Sequence, residues 1–199
     1  MLPQGRAILS DRGRSVRIVA TRGFAVYETA IGHCGIAWDE QAVIGSQLPE
    51  GGEGPTRARI ARRFPGAVEQ EPPAHVRRAI DAVRALLRGE DPPELTRVPL
   101  DFSRVPPFHA RVYEVALGIP VGRTMTYGEI ATRLGDPGSA RAVGQALGSN
   151  PFAPIVPCHR ILAAGGKKGG FSAHGGTRTK LRILEIEGVH VEEPTLFDL

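Results

Sequence analysis

Residues 126–148 read Thr-Tyr-Gly-Glu-Ile-Ala-Thr-Arg-Leu-Gly-Asp-Pro-Gly-Ser-Ala-Arg-Ala-Val-Gly-Gln-Ala-Leu-Gly. The opening Thr126-Tyr-Gly-Glu129 matches a capping box, in which hydroxyl and carboxylate satisfy opposite backbone donors at a helix start. The pattern predicts a short helix to about Leu134, broken by Gly135. Asp136-Pro137 then offers an N-cap and a proline at the first helical position, with a second helix to about Gly148. Two short helices across a short glycine-containing turn have the shape of a helix-turn-helix, although many helix pairs look the same. Ala140, Ala142, Gly144, Ala146 and Gly148 are all small, so the second helix can approach another backbone closely. A neighbouring helix packed against it explains this as well as a DNA groove does.

The surrounding charge is uneven. Residues 106–182 carry ten arginines and lysines against Glu114, Glu129 and Asp136, a balance of +7. From 183 onward Glu185, Glu187, Glu192, Glu193 and Asp198 give −5. A basic segment beside an acidic tail fits a polyanionic partner, and equally fits a solvated surface.

Downstream lies Asn150-Pro-Phe-Ala-Pro-Ile-Val-Pro-Cys158-His159-Arg160. A lone cysteine is usually a small buried hydrophobe. This one follows a proline-stiffened run and adjoins a base and a cation, which favour the reactive thiolate. Neighbouring side chains on an extended strand point to opposite faces, so Cys158 and His159 cooperate only if the chain turns between them, or through a water. Cys–His pairs also serve hydrolases. A hydrolase regenerates its thiol from a thioester, whereas alkyl transfer leaves a thioether that stays.

Taken together, Thr126-Tyr127-Gly128-Glu129, Ser139-Ala-Arg141-Ala-Val-Gly144, Asn150-Pro151 and Pro157-Cys-His-Arg160 resemble the O6-alkylguanine-DNA alkyltransferases, the methylated-DNA–protein-cysteine methyltransferase family. The resemblance runs from about Phe108 to Gly188. It implies an α+β protein: a ribonuclease-H-like small sheet domain (1–95), a linker (96–106), and a mainly helical, winged-helix-like domain with the helix-turn-helix (107–199). It implies Cys158 as alkyl acceptor, His159 taking its proton through a water, Glu187 orienting the histidine, and Asn150 bracing the reactive turn. Tyr127 would help turn out the nucleotide and donate a proton to the leaving guanine. Arg141 would fill the vacated stack, since extruding a base costs a few kcal/mol. Ala140, Ala142 and Gly144 would let the helix sit in the minor groove, where readout is degenerate. Ser172 would contact the flipped guanine. The partner implied is double-stranded DNA carrying O6-alkylguanine, with O4 of thymine a further substrate. No cofactor, metal, membrane or obligate protein partner is implied, and the protein is expected to act as a monomer. A sensor that binds alkylated DNA without transfer is the alternative, and Cys158 argues for the enzyme.

Some positions depart from the family pattern. Tyr113 stands where many relatives carry tryptophan. The loop Ala173–Thr179 is two residues longer than in some relatives. His33 and Cys34 do not align with the zinc ligands of some members, and two adjacent residues make a poor zinc site. Cys34 therefore reads as a buried apolar residue.

The first half matches only loosely, through Tyr27-Glu-Thr-Ala-Ile-Gly32 and Leu48-Pro-Glu-Gly51. Val16–Val19, Phe24–Tyr27 and Ile36–Trp38 read as strands of a small antiparallel sheet. Residues 73–88 read as a helix burying Val76, Ile80, Val83 and Leu87, with Arg77, Arg78, Arg84 and Arg88 facing away. A proline-rich stretch, 89–107, reads as a linker. A helix over 107–118 should bury Val112, Val115 and Ala116. Across 199 residues, 41% hydrophobic and 23% charged content excludes a long disordered or collagen-like chain. Two cysteines exclude a disulfide scaffold. The uncharged run between Arg141 and Arg160 is too rich in proline and polar residues to span a membrane. The N-terminus lacks a secretory signal's apolar stretch, so a cytoplasmic, reducing home is expected.

Overall fold

A computed structural model describes residues 22–166 and 169–191. The strand expected at Val16–Val19, the basic pair Lys167-Lys168, and the acids Glu192, Glu193 and Asp198 lie outside the described residues.

The structure is mixed α and β. Strands β1 (Gly23–Thr29), β2 (Gly32–Trp38) and β3 (Val43–Gln47) form an antiparallel meander. A fourth strand, β4 (Val68–Glu69), adds in parallel to β1, giving the order β3-β2-β1-β4. Between β3 and β4 runs α1 (Glu53–Arg63), and after β4 comes α2 (Ala74–Leu86). The β1 and β2 runs and α2 follow the sequence pattern. Val76, Ile80, Val83 and Leu87 are buried, while Arg77, Arg78 and Arg88 are exposed and Arg84 half-buried.

Both β3 and α1 escape the sequence reading. Helix α1 starts at Gly52 through Glu-Gly-Pro, residues that usually mark a loop, and buries only Thr56 and Ile60. Such a narrow apolar stripe gives almost no helical signal.

The 89–107 stretch is anchored rather than free. Residues 93–97 form a 3-10 turn with Leu95 buried. Val98, Leu100, Phe102 and Val105 pack on the core, and Leu100 bridges to Val43 in β3. Proline frequency hid these apolar anchors, which alternate closely enough to follow a sheet edge.

The second half begins with α3 (Pro107–Leu117), whose buried side is Val112, Tyr113 and Ala116, with Val115 only half-buried. Tyr113 is fully buried, and its hydroxyl donates to Ala146 O at 2.8 Å. Next come β5 (Met125–Thr126), α4 (Tyr127–Arg133), α5 (Ala140–Gly148), β6 (Ile161–Leu162) and α6 (Thr177–Ile186). The capping box is formed: Thr126 Oγ1 accepts from Glu129 N, and Glu129 Oε2 accepts from Thr126 N. Such a cap is worth about 1 kcal/mol. The start of α5 differs from expectation. Residues 137–139 form a separate 3-10 turn, and the Asp136 side chain makes no capping bond. Gly138 and Ser139 tighten the turn, so α5 begins only at Ala140. A single apolar cluster joins the halves, running from Ile36, Trp38 and Leu48 through Val83 and Leu86 to Tyr113, Ile130, Phe152 and Ile183.

Candidate active site

The reactive segment ends in a 3-10 turn over Cys158–Arg160, closed by Arg160 N donating to Pro157 O at 2.9 Å. The turn supplies the change of direction that Cys158 and His159 need. All three of its side chains are buried and fan apart: Cys158 toward a cavity, His159 and Arg160 toward the end of α6.

Glu187 caps the C-terminus of α6 and is buried, not a surface charge. Its Oε1 lies 2.8 Å from His159 Nε2. Arg160 grips the same carboxylate twice, Nε to Oε2 at 2.8 Å and Nη2 to Oε1 at 2.9 Å, and donates through Nη1 to Ile119 O at 2.6 Å. Burial pushes the Glu187 carboxyl up, but hydrogen bonds from His159 and Arg160 outweigh it and hold it at about 2. An ionised carboxylate only accepts, so His159 donates through Nε2–H, and Nδ1 carries the lone pair. That Nδ1 is buried without a partner. Burial keeps the imidazole below its usual range, against the pull of Glu187, so the ring is a neutral base at rest. Removing one member of such a buried ionic set typically costs about 3–5 kcal/mol.

Cys158 is 8% exposed. Burial pushes its thiol up, and the Asn150 side chain, the Lys180 charge and the N–H groups of residues 158 and 159 pull it back. Asn150 also ties the segment to itself: Nδ2 donates to Val156 O and Oδ1 accepts from Phe152 N, both at 2.9 Å. Lys180 is fully buried, donates to Ile161 O at 2.5 Å and stands over the Tyr127 ring. Desolvation lowers it to about 8, opposed by Cys158.

The cavity in front of Cys158 holds about 530 Å³, within the range of ligand sites. Tyr127, Ala140, Arg141, Gly144, Cys158 and Ser172 line it. Arg141 is exposed at its rim, on the first turn of α5. Tyr127, first residue of α4, is half-buried; burial and then Cys158 raise its hydroxyl. A Cβ on Gly169, whose φ is +64°, would lie 2.8 Å from the Tyr127 hydroxyl, so glycine lets this loop close over the ring. At Gly144 a Cβ would make only an ordinary 3.9 Å contact with that ring. Ala142 lies on α5 but does not line the cavity, and Asn150, His159 and Glu187 sit behind the thiol.

Arg160, expected as a cation beside the thiol, turns instead to Glu187, and it is Lys180 whose charge acts on Cys158. A signal existed for Lys180. With Ile183, Leu184 and Glu187 it sits at i, i+3, i+4, i+7, so two charges occupy the buried stripe of α6. Charges there require partners. Among the described residues no group of three or more His, Cys, Asp or Glu side chains could hold a metal ion, and no helix is long and apolar enough to cross a membrane.

The family described as "6-O-methylguanine DNA methyltransferase, DNA binding domain" matches residues 107–189. A Methanothermobacter thermautotrophicus protein named methylated-DNA–protein-cysteine methyltransferase is 34% identical over 158 residues, 79% of this chain and 81% of that protein. A Thermus thermophilus protein named DNA base-flipping protein is 42% identical over 111 residues, 56% of this chain and 72% of that one. Mycobacterium tuberculosis OGT, solved in complex with DNA, superposes with a TM-score of 0.65 at 33% identity, covering 83% of this chain and 92% of that one. The match to the Methanothermobacter protein extends through both halves of the structure, and the chain belongs to the 6-O-methylguanine DNA methyltransferase family.

Proposed function

We propose that this protein repairs DNA by moving a methyl or larger alkyl group from O6 of guanine, and from O4 of thymine, onto Cys158, once per molecule. The observation that carries the reading is the juxtaposition at the thiol. Cys158 opens on a cavity of about 530 Å³ rimmed by Arg141, and an unpartnered imidazole nitrogen is backed by Glu187 and Arg160.

Double-stranded DNA carrying an alkylated guanine meets α4 and α5, acting as a helix-turn-helix, with α5 in the minor groove. Ala140, Ala142 and Gly144 allow its close approach. Arg141 enters the stack as the damaged nucleotide rotates out, and Tyr127 and Ser172 receive the base. The M. tuberculosis complex with DNA and the Thermus relative named for base flipping support these steps. The Cys158 proton passes through a water to His159 Nδ1, and Glu187 and Arg160 hold the resulting imidazolium. The thiolate attacks the alkyl carbon. A C–S bond forms, the C–O bond breaks, and Tyr127 protonates the departing guanine. Asn150 holds the turn, and Lys180 steadies the thiolate. Water does not cleave the thioether, so the protein is spent.

In this reading 107–199 carries the chemistry as a winged-helix-like unit, 96–106 connects, and 1–95 is a ribonuclease-H-like support. The protein works as a monomer in the cytoplasm, and two buried free thiols fit a reducing compartment. The test uses a duplex oligonucleotide bearing O6-methylguanine. Conversion of O6-methylguanine to guanine on mixing, abolished by Cys158→Ser while DNA binding persists, supports the proposal. Binding without conversion by the unaltered protein would make it a damage sensor instead.

A further inference from the structure

The eight residues before the reactive turn, 150–157, include Pro151, Pro154 and Pro157. Proline has no N–H, so this segment must be held largely through its carbonyls. Three are satisfied locally. Phe152 O accepts from Val156 N, Val156 O from Asn150 Nδ2 and Cys158 N, and Pro157 O from Arg160 N. Those of Pro151 and Ala153 share one distant donor residue, Ser46. Ser46 N donates to Pro151 O, and the Ser46 hydroxyl donates to Ala153 O, both at 2.8 Å. The second bond joins positions 107 residues apart in sequence.

Ser46 is itself fixed. It lies in β3, is 1% exposed, and bridges in parallel to Phe152. Its carbonyl accepts from Arg63 Nη1 at 3.1 Å, and the same nitrogen holds Gln47 Oε1 at 2.6 Å. Arg63 Nη2 makes a further 3.4 Å contact with Pro151 O. A Cβ at Gly45 would overlap the Phe64 ring, so glycine there lets the end of α1 close on β3.

We propose that Ser46 is a positioning residue for Cys158: through Pro151 and Ala153, the sheet of the N-terminal half sets where the reactive turn places the thiol relative to Asn150 and His159. The inference rests on the alkyl-transfer reading above. It gives the first half of the chain a share in aligning the reaction, although none of its residues lines the reactive cavity.

The test compares Ser46→Ala with Thr56→Val. Thr56 is equally buried, but its hydroxyl bonds to His33 O and Gly52 O, so its loss loosens the same half without touching 150–157. Two rates are followed: single-turnover methyl transfer from O6-methylguanine duplex, and alkylation of Cys158 by iodoacetamide from neutral to alkaline pH. Ser46→Ala should slow saturated transfer about fivefold, the worth of one hydrogen bond, with the half-saturating DNA concentration unchanged. The Cys158 alkylation profile should move upward by about half a pH unit, because the Asn150 hydrogen bond is no longer held in register. Thr56→Val should leave both rates unchanged despite a comparable drop in Tm. An unchanged Ser46→Ala rate and profile, or an equal effect of Thr56→Val, overturns the proposal. If the unaltered protein transfers no methyl group, the alkyl-transfer reading fails, and the iodoacetamide profile still judges Ser46.

Discussion

The chain has two thiols, both buried, free and raised above the usual cysteine range. Cys34 sits in β2, opposite Tyr27 of β1 and fully enclosed by the sheet core. Desolvation drives it to about 12, opposed only by a 3.8 Å contact with Thr29. Cys158 is nearly as buried, yet an amide side chain, a buried ammonium and two backbone N–H groups act on its sulfur, and one side opens on a cavity. Burial alone therefore does not distinguish an inert cysteine from a reactive one. The distinction lies in which groups would stabilise the anion once the proton leaves.

The largest expected effect breaks the groups behind Cys158. Glu187→Gln removes the charge that balances Arg160 and orients His159. It should cost about 3–5 kcal/mol of stability and slow methyl transfer far more than it weakens DNA binding. Urea unfolding and single-turnover rates give both numbers. Equal losses of rate and binding would reduce Glu187 to a structural role.

The same carboxylate sharpens the comparison through pH. Its folded value of about 2 lies below the roughly 4.3 of an unfolded glutamate, so its contribution is complete above that value and is lost as pH falls toward 2. His159, also depressed, adds a loss of the same sign as pH falls below about 6.5, where the unfolded chain takes up the proton first. Stability should therefore decline from neutral pH toward pH 2. Glu187→Gln should flatten the most acidic part of that decline, and a parallel curve would contradict the carboxylate's assignment.

Arg141→Ala touches the front of the site only. The exposed side chain makes no hydrogen bond or ion pair with any described residue, so Tm should hold. Repair of duplex substrate should fall about tenfold or more, and binding should weaken with added salt as phosphate contacts release counterions. Unchanged duplex repair would remove Arg141 from the stack-filling role. The smallest effect belongs to the other thiol. Cys34→Ala should cost roughly 1–2 kcal/mol of packing and leave transfer untouched. A transfer defect there would erase the contrast between the two cysteines.

Local signals were readable in the sequence where they were strong. The capping box at Thr126 and the arginine-faced stripe of α2 need only near neighbours to form. Helix α1 and strand β3 were not legible, because α1 buries only Thr56 and Ile60 behind a Gly-Glu-Gly-Pro start, and Gly45 owes its place in β3 to the Phe64 ring packed on it. Glu187 shows the same division. By charge it is one more acid in the stretch after residue 182, and only family resemblance pointed to the histidine that it meets. Ser46 carried no signal at all, since a serine in a strand becomes informative only when its partner, 107 residues away, is known.

The central claim is that Cys158, and not Cys34, accepts the alkyl group once and keeps it. Protein mixed with excess O6-methylguanine oligonucleotide should gain the mass of one methyl group, mapped to the peptide containing Cys158, and repair should stop at one base per protein molecule. Repair continuing well past one equivalent, or a methyl group found on Cys34, would contradict it.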